Sequence, residues 1–432
     1  MKSVLVVGGG IAGIQASLDL AEMGVKVYLI EKSPSIGGHM AMLDKTFPTN
    51  DCAMCVLGPK MAEVERHKNI ELLAYSELRA VRKVQRNFRV KILKKSRYVD
   101  ESKCTGCGDC AKACLLKGKV DDEHNLGLGK RAASYLPFPQ AFPLIYTIDY
   151  ENCLFLKWGV CGKEPACKKA CKAGAIDFSQ KPIEVALEVS AIIVAIGLAV
   201  YDPSNIAEYG YGSFRNVLTA LELERLLSAS GPTGGQIKTF DGKTPSKVAF
   251  IQCVGSRDTK HNSYCSSICC MLATKQAILI KERYPEADIC IYYTDLRSSG
   301  KNSQEYVERA EKDFKINYIR SRPGEIIKDQ KNNNLKVLYN FGKKVMSREA
   351  DLVILVNALV HNDDANRISN ILGIALDDNG FFKVKDLFCA PLDTCVPGIF
   401  VCGSCKDPSS ITDSVLSASG AVSRAMEWIG VE

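Results

Sequence analysis

The 432-residue sequence contains no uninterrupted apolar run approaching the roughly 18 residues needed to cross a bilayer. Its longest candidate, Val185 to Val200, is broken by Glu188 and Gly197. No basic, apolar leader is expected, because Met1 runs almost directly into a strand. Also missing are the G-x-S-x-G elbow of serine hydrolases, the G-x-x-x-x-G-K phosphate loop, and paired carboxylates at recognisable spacing. These absences point away from membrane-spanning, hydrolytic and phosphoryl-transfer chemistry and toward a cytoplasmic protein. With 46% hydrophobic and 24% charged residues, the chain has the balance of an ordinary globular protein, long enough for two or three domains.

Cysteine is what the sequence has in excess, at nineteen residues. In a cytosolic chain such enrichment indicates metal or redox chemistry ahead of disulfide stapling. It also changes the meaning of the formal charge of +7, which counts every cysteine as neutral. Three clusters, each contributing roughly −2 with its four thiolates, would bring the protein near neutrality. No nucleic-acid partner is therefore read from the charge.

Lys2 to Val7 is a short apolar, β-branched run, followed by Gly8-Gly9-Gly10-Ile11-Ala12-Gly13 and a helix-period stretch through Met23. This order predicts strand, glycine turn and helix. Gly8 would permit the turn, Gly10 would let a pyrophosphate approach, Gly13 would let helix pack on strand, and the free N–H groups at Ile11 and Ala12 would face the anion. A second strand, Val25 to Ile30, ends at Glu31 and Lys32, where an acidic side chain would accept from ribose hydroxyls. Apolar strands ending in glycine recur at Ala191 to Gly197, through Ala195, and at Gly398 to Gly403, the second followed by Asp413-Ser414 and a small-residue helix. Such late segments close the flavin site in flavoproteins with two dinucleotide-binding domains, which this layout resembles, and FAD is accordingly expected in preference to NAD.

A second buried strand, Lys247 to Gln252, begins where a pyridine-nucleotide domain would start, but Cys253-Val254-Gly255-Ser256-Arg257 replaces the glycine fingerprint. NAD(P)H is thus not expected to donate directly at this site. Cys253, Cys265, Cys269 and Cys270 stand there instead, with Cys265 and Cys269 one turn apart if that segment is helical. Four thiolates fit a cubane cluster, a zinc ion, or plain buried thiols.

The most specific signal is Cys104-x-x-Cys107-x-x-Cys110-x-x-x-Cys114, the bacterial ferredoxin spacing. Cys153, Cys161, Cys167 and Cys171 follow as a second half with longer gaps. The expected pairing is Cys104, Cys107, Cys110 and Cys171 on one cluster, with Cys153, Cys161, Cys167 and Cys114 on the other; a zinc ribbon or a lost second cluster are the alternatives. Asp121 to Pro143 reads as a link draped over the surface between the halves. Ser298 to Ser303 and Lys328 to Asn334 read as loops or hairpin turns. Because flavoprotein character resumes at Ala191, the cysteine-rich unit reads as an insertion.

Together these residues resemble the HdrA-like family, the FAD and iron-sulfur subunits of heterodisulfide reductase, over nearly the whole chain. The likeness rests on Gly8 to Gly13, Gly37-Gly38-His39-Met40, Leu43 to Pro48, Asp51-Cys52-Ala53-Met54-Cys55, the cysteine runs, and Ile411 to Val415. It implies an α/β flavoprotein of the thioredoxin-reductase-like kind, with two dinucleotide-binding domains and an inserted bacterial-type ferredoxin domain. The expected boundaries are 1–97, 182–246 and 357–432 for the FAD-binding domain, 98–181 for the insert, and 247–356 for a degenerate NAD(P)-type domain. FAD and three 4Fe-4S clusters are implied, with Ile411 among the flavin contacts and no side chain assigned a catalytic role; His39 and Lys45, after the Gly37-Gly38 turn, are placed either to reach the flavin ring or to serve as plain loop residues. So are partner subunits carrying an iron-sulfur relay, a disulfide-reducing site and a dehydrogenase or hydrogenase input, with room for a homodimer. The flavin in that family takes or splits electron pairs.

Two departures stand out. The longest family members carry an extra amino-terminal domain and a carboxy-terminal ferredoxin domain, whereas this sequence ends at Glu432, so docking of the input partner is expected to differ. Ser409 and Ser410 replace a lysine and an aspartate often found before Ile411, which leaves bifurcation less secure than electron transfer. Cys52 and Cys55 fit a redox dithiol, cluster ligation or packing. Cys290, Cys389, Cys395, Cys402 and Cys405 lack ligand spacing. A self-contained NAD(P)H-dependent flavin oxidoreductase and a scaffold or sensor with structural clusters are the rival readings.

Overall fold

The computed structural model describes residues 2–329 and 334–430, so part of the segment between Lys328 and Asn334 lies outside the described residues. Two parallel five-stranded sheets organise it. In the first, Ile399–Val401, Ala191–Val194, Ser3–Val7, Lys26–Glu31 and Ile70–Ala74 lie side by side in that order. Their near-continuous Val, Ile and Leu content is what a parallel sheet covered on both faces requires. The Ile11–Glu22 and Ile411–Ile429 helices cover one face, and the strands of the Ser76–Val84, Asn87–Lys94 and Ile183–Val189 antiparallel sheet lie against the other.

The second sheet runs Val217–Thr219, Leu352–Asn357, Lys247–Val254, Asp288–Tyr293 and Asn317–Arg320. It takes in residues that precede Lys247 in the chain. The Ala220–Leu227 and Cys269–Arg283 helices pack on it. Glu325–Lys328 and Leu335–Phe341 form the two arms of an antiparallel pair.

Residues between the Asn87–Lys94 and Ile183–Val189 strands form the cysteine-rich insert. It contains short helices Asp109–Ala113, Leu154–Trp158 and Ala166–Ala170 and two-residue strand pairs. Its small core includes Cys110 and Cys153 beside Val99, Ala133, Ile148 and Ile176. The fully buried Arg97 fastens it down: Nη2 donates to the Pro34 carbonyl at 2.7 Å, Nη1 to Thr147 Oγ1 at 2.8 Å, and Nε to Glu101 at 3.1 Å. The segment from Asp121 to Pro143 is not draped over the surface. Ala132, Ala133, Ser134, Phe138 and Ala141 are buried, Ile36 N–H donates to the Phe142 carbonyl, and Arg225 reaches Asn125. Apolar residues spaced irregularly along this stretch pay for its ordering by packing under the nucleotide-binding unit, which no local periodicity announced.

A buried polar cluster ties the second sheet's helices together and, through Asp44, to the first unit. Lys275 Nζ donates to Glu224, both side chains essentially without solvent exposure, and Glu224 also accepts from Gln276 and from the Asp44 N–H at 3.0 Å. Arg283 meets Asp44 at 3.2 Å, and Tyr306 donates to Asn50 at 2.6 Å. Buried charges of this kind specify a relative arrangement more than they stabilise it.

Candidate functional site

The carboxyl ends of the first sheet's strands gather the nucleotide-type residues, the position where open α/β sheets bind ligands. Gly8 has φ +108°, and a Cβ there would lie 2.4 Å from the Ala195 carbonyl oxygen. A Cβ on Gly13 would lie 1.8 Å from the Gly8 oxygen, so helix and strand touch through this glycine. One on Gly403 would fall 2.8 Å from Ala12 Cβ, bringing the late strand against the first helix. Gly10 differs from these three: a Cβ there meets nothing within 4 Å. It is the N-cap of the Ile11–Glu22 helix, with no side-chain cap and no acidic residue in the first turn, so the opening N–H groups of Ile11, Ala12 and Gly13 have no intrahelical acceptor. Gly37 (φ +128°) and Gly38 (φ +55°) close over it, Gly37 N–H donating to the Gly9 carbonyl at 2.8 Å. An anion-sized cradle bounded by glycine suits a dinucleotide pyrophosphate.

Glu31 accepts from Gly9 N–H and from Ser33 N–H and Oγ, each at 2.7 Å, so it braces the glycine turn as well as ending its strand. Lys32 is held 2.7 Å from Asp364. His39 is exposed, whereas Lys45 is half-buried, 3.9 Å from Glu282 of the second unit. Gly197 adopts φ +71° just beyond Ala195, and Ile411 packs on the first core. Asp413 and Ser410 form a reciprocal capping box at the Ile411–Ile429 helix, Ser410 Oγ donating to Asp413 at 2.7 Å and accepting its N–H at 3.1 Å. Ser410 thus has a structural task that the comparison with lysine and aspartate did not reveal. Ser414 is buried, 3.2 Å from Ser409 and 3.4 Å from Ser404.

In the insert, Cys114, Cys153, Cys161 and Cys167 line one cavity, otherwise walled by Ala113, Leu115, Leu116, Phe155 and other apolar groups. Burial pushes the Cys167 thiol up to about 12, with Cys114 and Cys153 adding to the shift, and Cys161 is raised by burial and by the same two neighbours. Cys110 is raised by burial, with Cys104 and Cys171 nearby, and the Tyr146 phenol is raised by burial and then by Cys110, Cys107 and Cys104. The remaining four cysteines are thereby neighbours too.

The third group lies at the end of the Lys247–Val254 strand. The backbone bends sharply there, with φ +60° at Cys253, +76° at Gly255, +53° at Arg257 and +61° at Ser267. Cys265 is not helical: the helix starts only at Cys269 and ends at Arg283, so Cys265 comes from the preceding loop and not from one turn earlier. Burial pushes the Cys269 thiol well up, and Cys253, Cys270 and Cys265 add to it, which places all four together.

Cys52 and Cys55 are disulfide-bonded, with Cα atoms 5.2 Å apart, at the start of the Ala53–Arg66 helix. Cys55 is exposed, so simple packing does not account for it. Cys402 and Cys405 are fully enclosed, their thiols raised by burial, while Cys389 and Cys395 are exposed.

Residues 3–115 match the FAD dependent oxidoreductase family. The chain is 51% identical over 425 residues to a CoB--CoM heterodisulfide reductase iron-sulfur subunit of the HdrA type from Methanopyrus kandleri, covering 98% of this chain and 63% of the relative. It is 49% identical over 426 residues to the corresponding iron-sulfur subunit of Methanocaldococcus jannaschii, with the same coverage. The chain is homologous to HdrA. It spans a little under two thirds of the length of these two relatives. In fold it is similar to thioredoxin reductase of T. acidophilum, with a TM-score of 0.53 at 13% identity over 98% of this chain and 97% of that one. The Lactococcus lactis thioredoxin reductase gives 0.53 at 16% identity, over 100% and 99%. The α/β, two-unit thioredoxin-reductase-like architecture expected for an HdrA homologue is therefore present. Among the described residues, no helix is long and apolar enough to cross a membrane.

Proposed function

We propose that the chain is a cytoplasmic FAD- and 4Fe-4S-containing electron-transfer subunit of a heterodisulfide-reductase-like complex. The observation that carries this reading is the joining of an open glycine cradle to a cavity lined by Cys114, Cys153, Cys161 and Cys167 within one anchored fold. When bound, the flavin would supply electron-pair chemistry and the clusters single-electron chemistry.

The chain's own residues hold and space these groups. Gly10 and the first N–H groups of its helix take the pyrophosphate, while Glu31 stiffens the turn through Gly9. Cys104, Cys107, Cys110 and Cys171 take one cluster, and Cys114, Cys153, Cys161 and Cys167 the second. Cys253, Cys265, Cys269 and Cys270 take the third. Arg97 holds the insert, and the contacts of Asp44 with Glu224 and Arg283 hold the second unit, against the unit that carries the glycine cradle, and electron transfer depends on that constancy.

Relatives of this chain are named as heterodisulfide,ferredoxin reductase subunits, a pair of acceptors that an electron-bifurcating or confurcating flavin would serve. We extend that role to this chain, with partner subunits supplying the relay, the disulfide-reducing site and the electron input. The test is anaerobic reduction of the purified chain. NADH should leave the flavin absorbance unbleached over minutes while a low-potential chemical reductant bleaches it. Rapid bleaching by NADH would make the chain a self-contained pyridine-nucleotide oxidoreductase.

A further inference from the structure

Around Cys110, Cys161 and Cys167 the charged neighbours acting on the thiols are other cysteines. The Cys253 group is different, because a guanidinium stands inside it. Arg257 Nη2 is held by Asp295 Oδ2 at 2.7 Å, and Arg320 shares the other oxygen of Asp295 at 2.9 Å. Arg257 Nη1 is shut off from solvent and has no hydrogen-bond partner, an arrangement that costs free energy unless a ligand supplies the acceptor. Cys270 Sγ lies 3.6 Å from the Asp295 carbonyl oxygen, so the residue that holds Arg257 also adjoins the cysteine group. The backbone at Arg257 is turned to φ +53°, a left-handed conformation uncommon outside glycine. Cys270 Sγ also accepts the Arg297 N–H at 3.4 Å.

We propose that Arg257 is a potential-setting residue of the third iron-sulfur site, its guanidinium, held by Asp295 beside Cys270, raising the potential of that site. The inference rests on the cluster reading of those four cysteines. Adding an electron to a cluster adds a negative charge, and a fixed cation in a poorly solvated site stabilises the reduced form more than the oxidised one. A cation fixed here would therefore raise the potential of this position.

The experiment is a redox titration of the anaerobically purified full chain, followed by electron paramagnetic resonance, with the third site's signal assigned by its loss in Cys269→Ser. In Arg257→Gln that signal should move to lower potential. At fixed ambient potential its reduced-to-oxidised ratio should fall about tenfold or more, equivalent to about 59 mV for one electron. The insert signals should stay in place. Arg257→Lys, which keeps the charge and loses the planar fork, should move part of the way. Asp295→Asn, which removes the carboxylate sharing the guanidinium charge, should move the signal upward and serves as the test if Arg257→Gln fails to load iron. A third-site signal unmoved in Arg257→Gln at full iron content overturns the proposal, as does an unmoved signal in Asp295→Asn. Wild-type protein with no signal lost in Cys269→Ser would instead overturn the cluster reading beneath it.

Discussion

Gly10→Ala is expected to purify folded but depleted of flavin, whereas Gly13→Ala should lose flavin and stability together. The two residues share one turn and differ in what a methyl group would meet. At Gly13 the new carbon would sit 1.8 Å from the Gly8 oxygen, a backbone atom that cannot rotate away, so the helix must lift from the strand. Overpacking of this kind costs about 1–3 kcal/mol or more. At Gly10 the backbone is extended, with φ −75°, and the methyl enters empty space, so stability should change by no more than about 1 kcal/mol, the ordinary scale of an N-cap substitution. The same methyl would occupy the room left for a pyrophosphate, and FAD affinity should fall about tenfold or more, or about 1.4 kcal/mol. Thermal denaturation and flavin released per chain separate the two effects. Full flavin occupancy in Gly10→Ala would mean that the dinucleotide does not lie over this turn.

The second large effect concerns iron. Cys161→Ser and Cys269→Ser should each lower the iron content from about twelve to about eight per chain, because each removes a ligand of a different four-iron cluster. FAD should remain, since neither residue belongs to the glycine cradle. Cys290→Ser supplies the control: Cys290 is a buried strand thiol, raised to about 11 by burial, with Arg348, Tyr292 and Asp288 as the groups acting on it and no cysteine among them. Its replacement should leave iron unchanged. Equal iron in Cys269→Ser and wild type would remove the third cluster from the account, and equal iron in Cys161→Ser would remove the second.

What could be read from the sequence was what local order determines. Val4 to Val7 with the glycines after them announced a strand and turn because both features lie within a dozen consecutive residues, and the close spacing of Cys104, Cys107, Cys110 and Cys114 announced the insert for the same reason. The structure's additions come from residues far apart in sequence. Arg97 meets Pro34 across 63 positions, Glu224 meets Lys275 across 51, and Phe138 is buried in the core formed by the amino-terminal strands and helices. Cys265 was legible as a member of its group but not as a loop residue, since a four-residue spacing fits a helix equally well. Ser410 looked like the loss of a charged side chain, yet with Asp413 three residues later it carries the signature of a capping box, a signal that could have been recognised. Arg257 lay two residues after Gly255 in the sequence, and only the fold set it on Asp295 beside Cys270.

The most direct measurement is the iron, acid-labile sulfide and FAD content of the full chain purified without oxygen. Three cubanes beside one dinucleotide predict about twelve irons, about twelve sulfides and one FAD per chain. Zinc in place of iron, or protein without flavin that cannot be reconstituted with FAD, would contradict it.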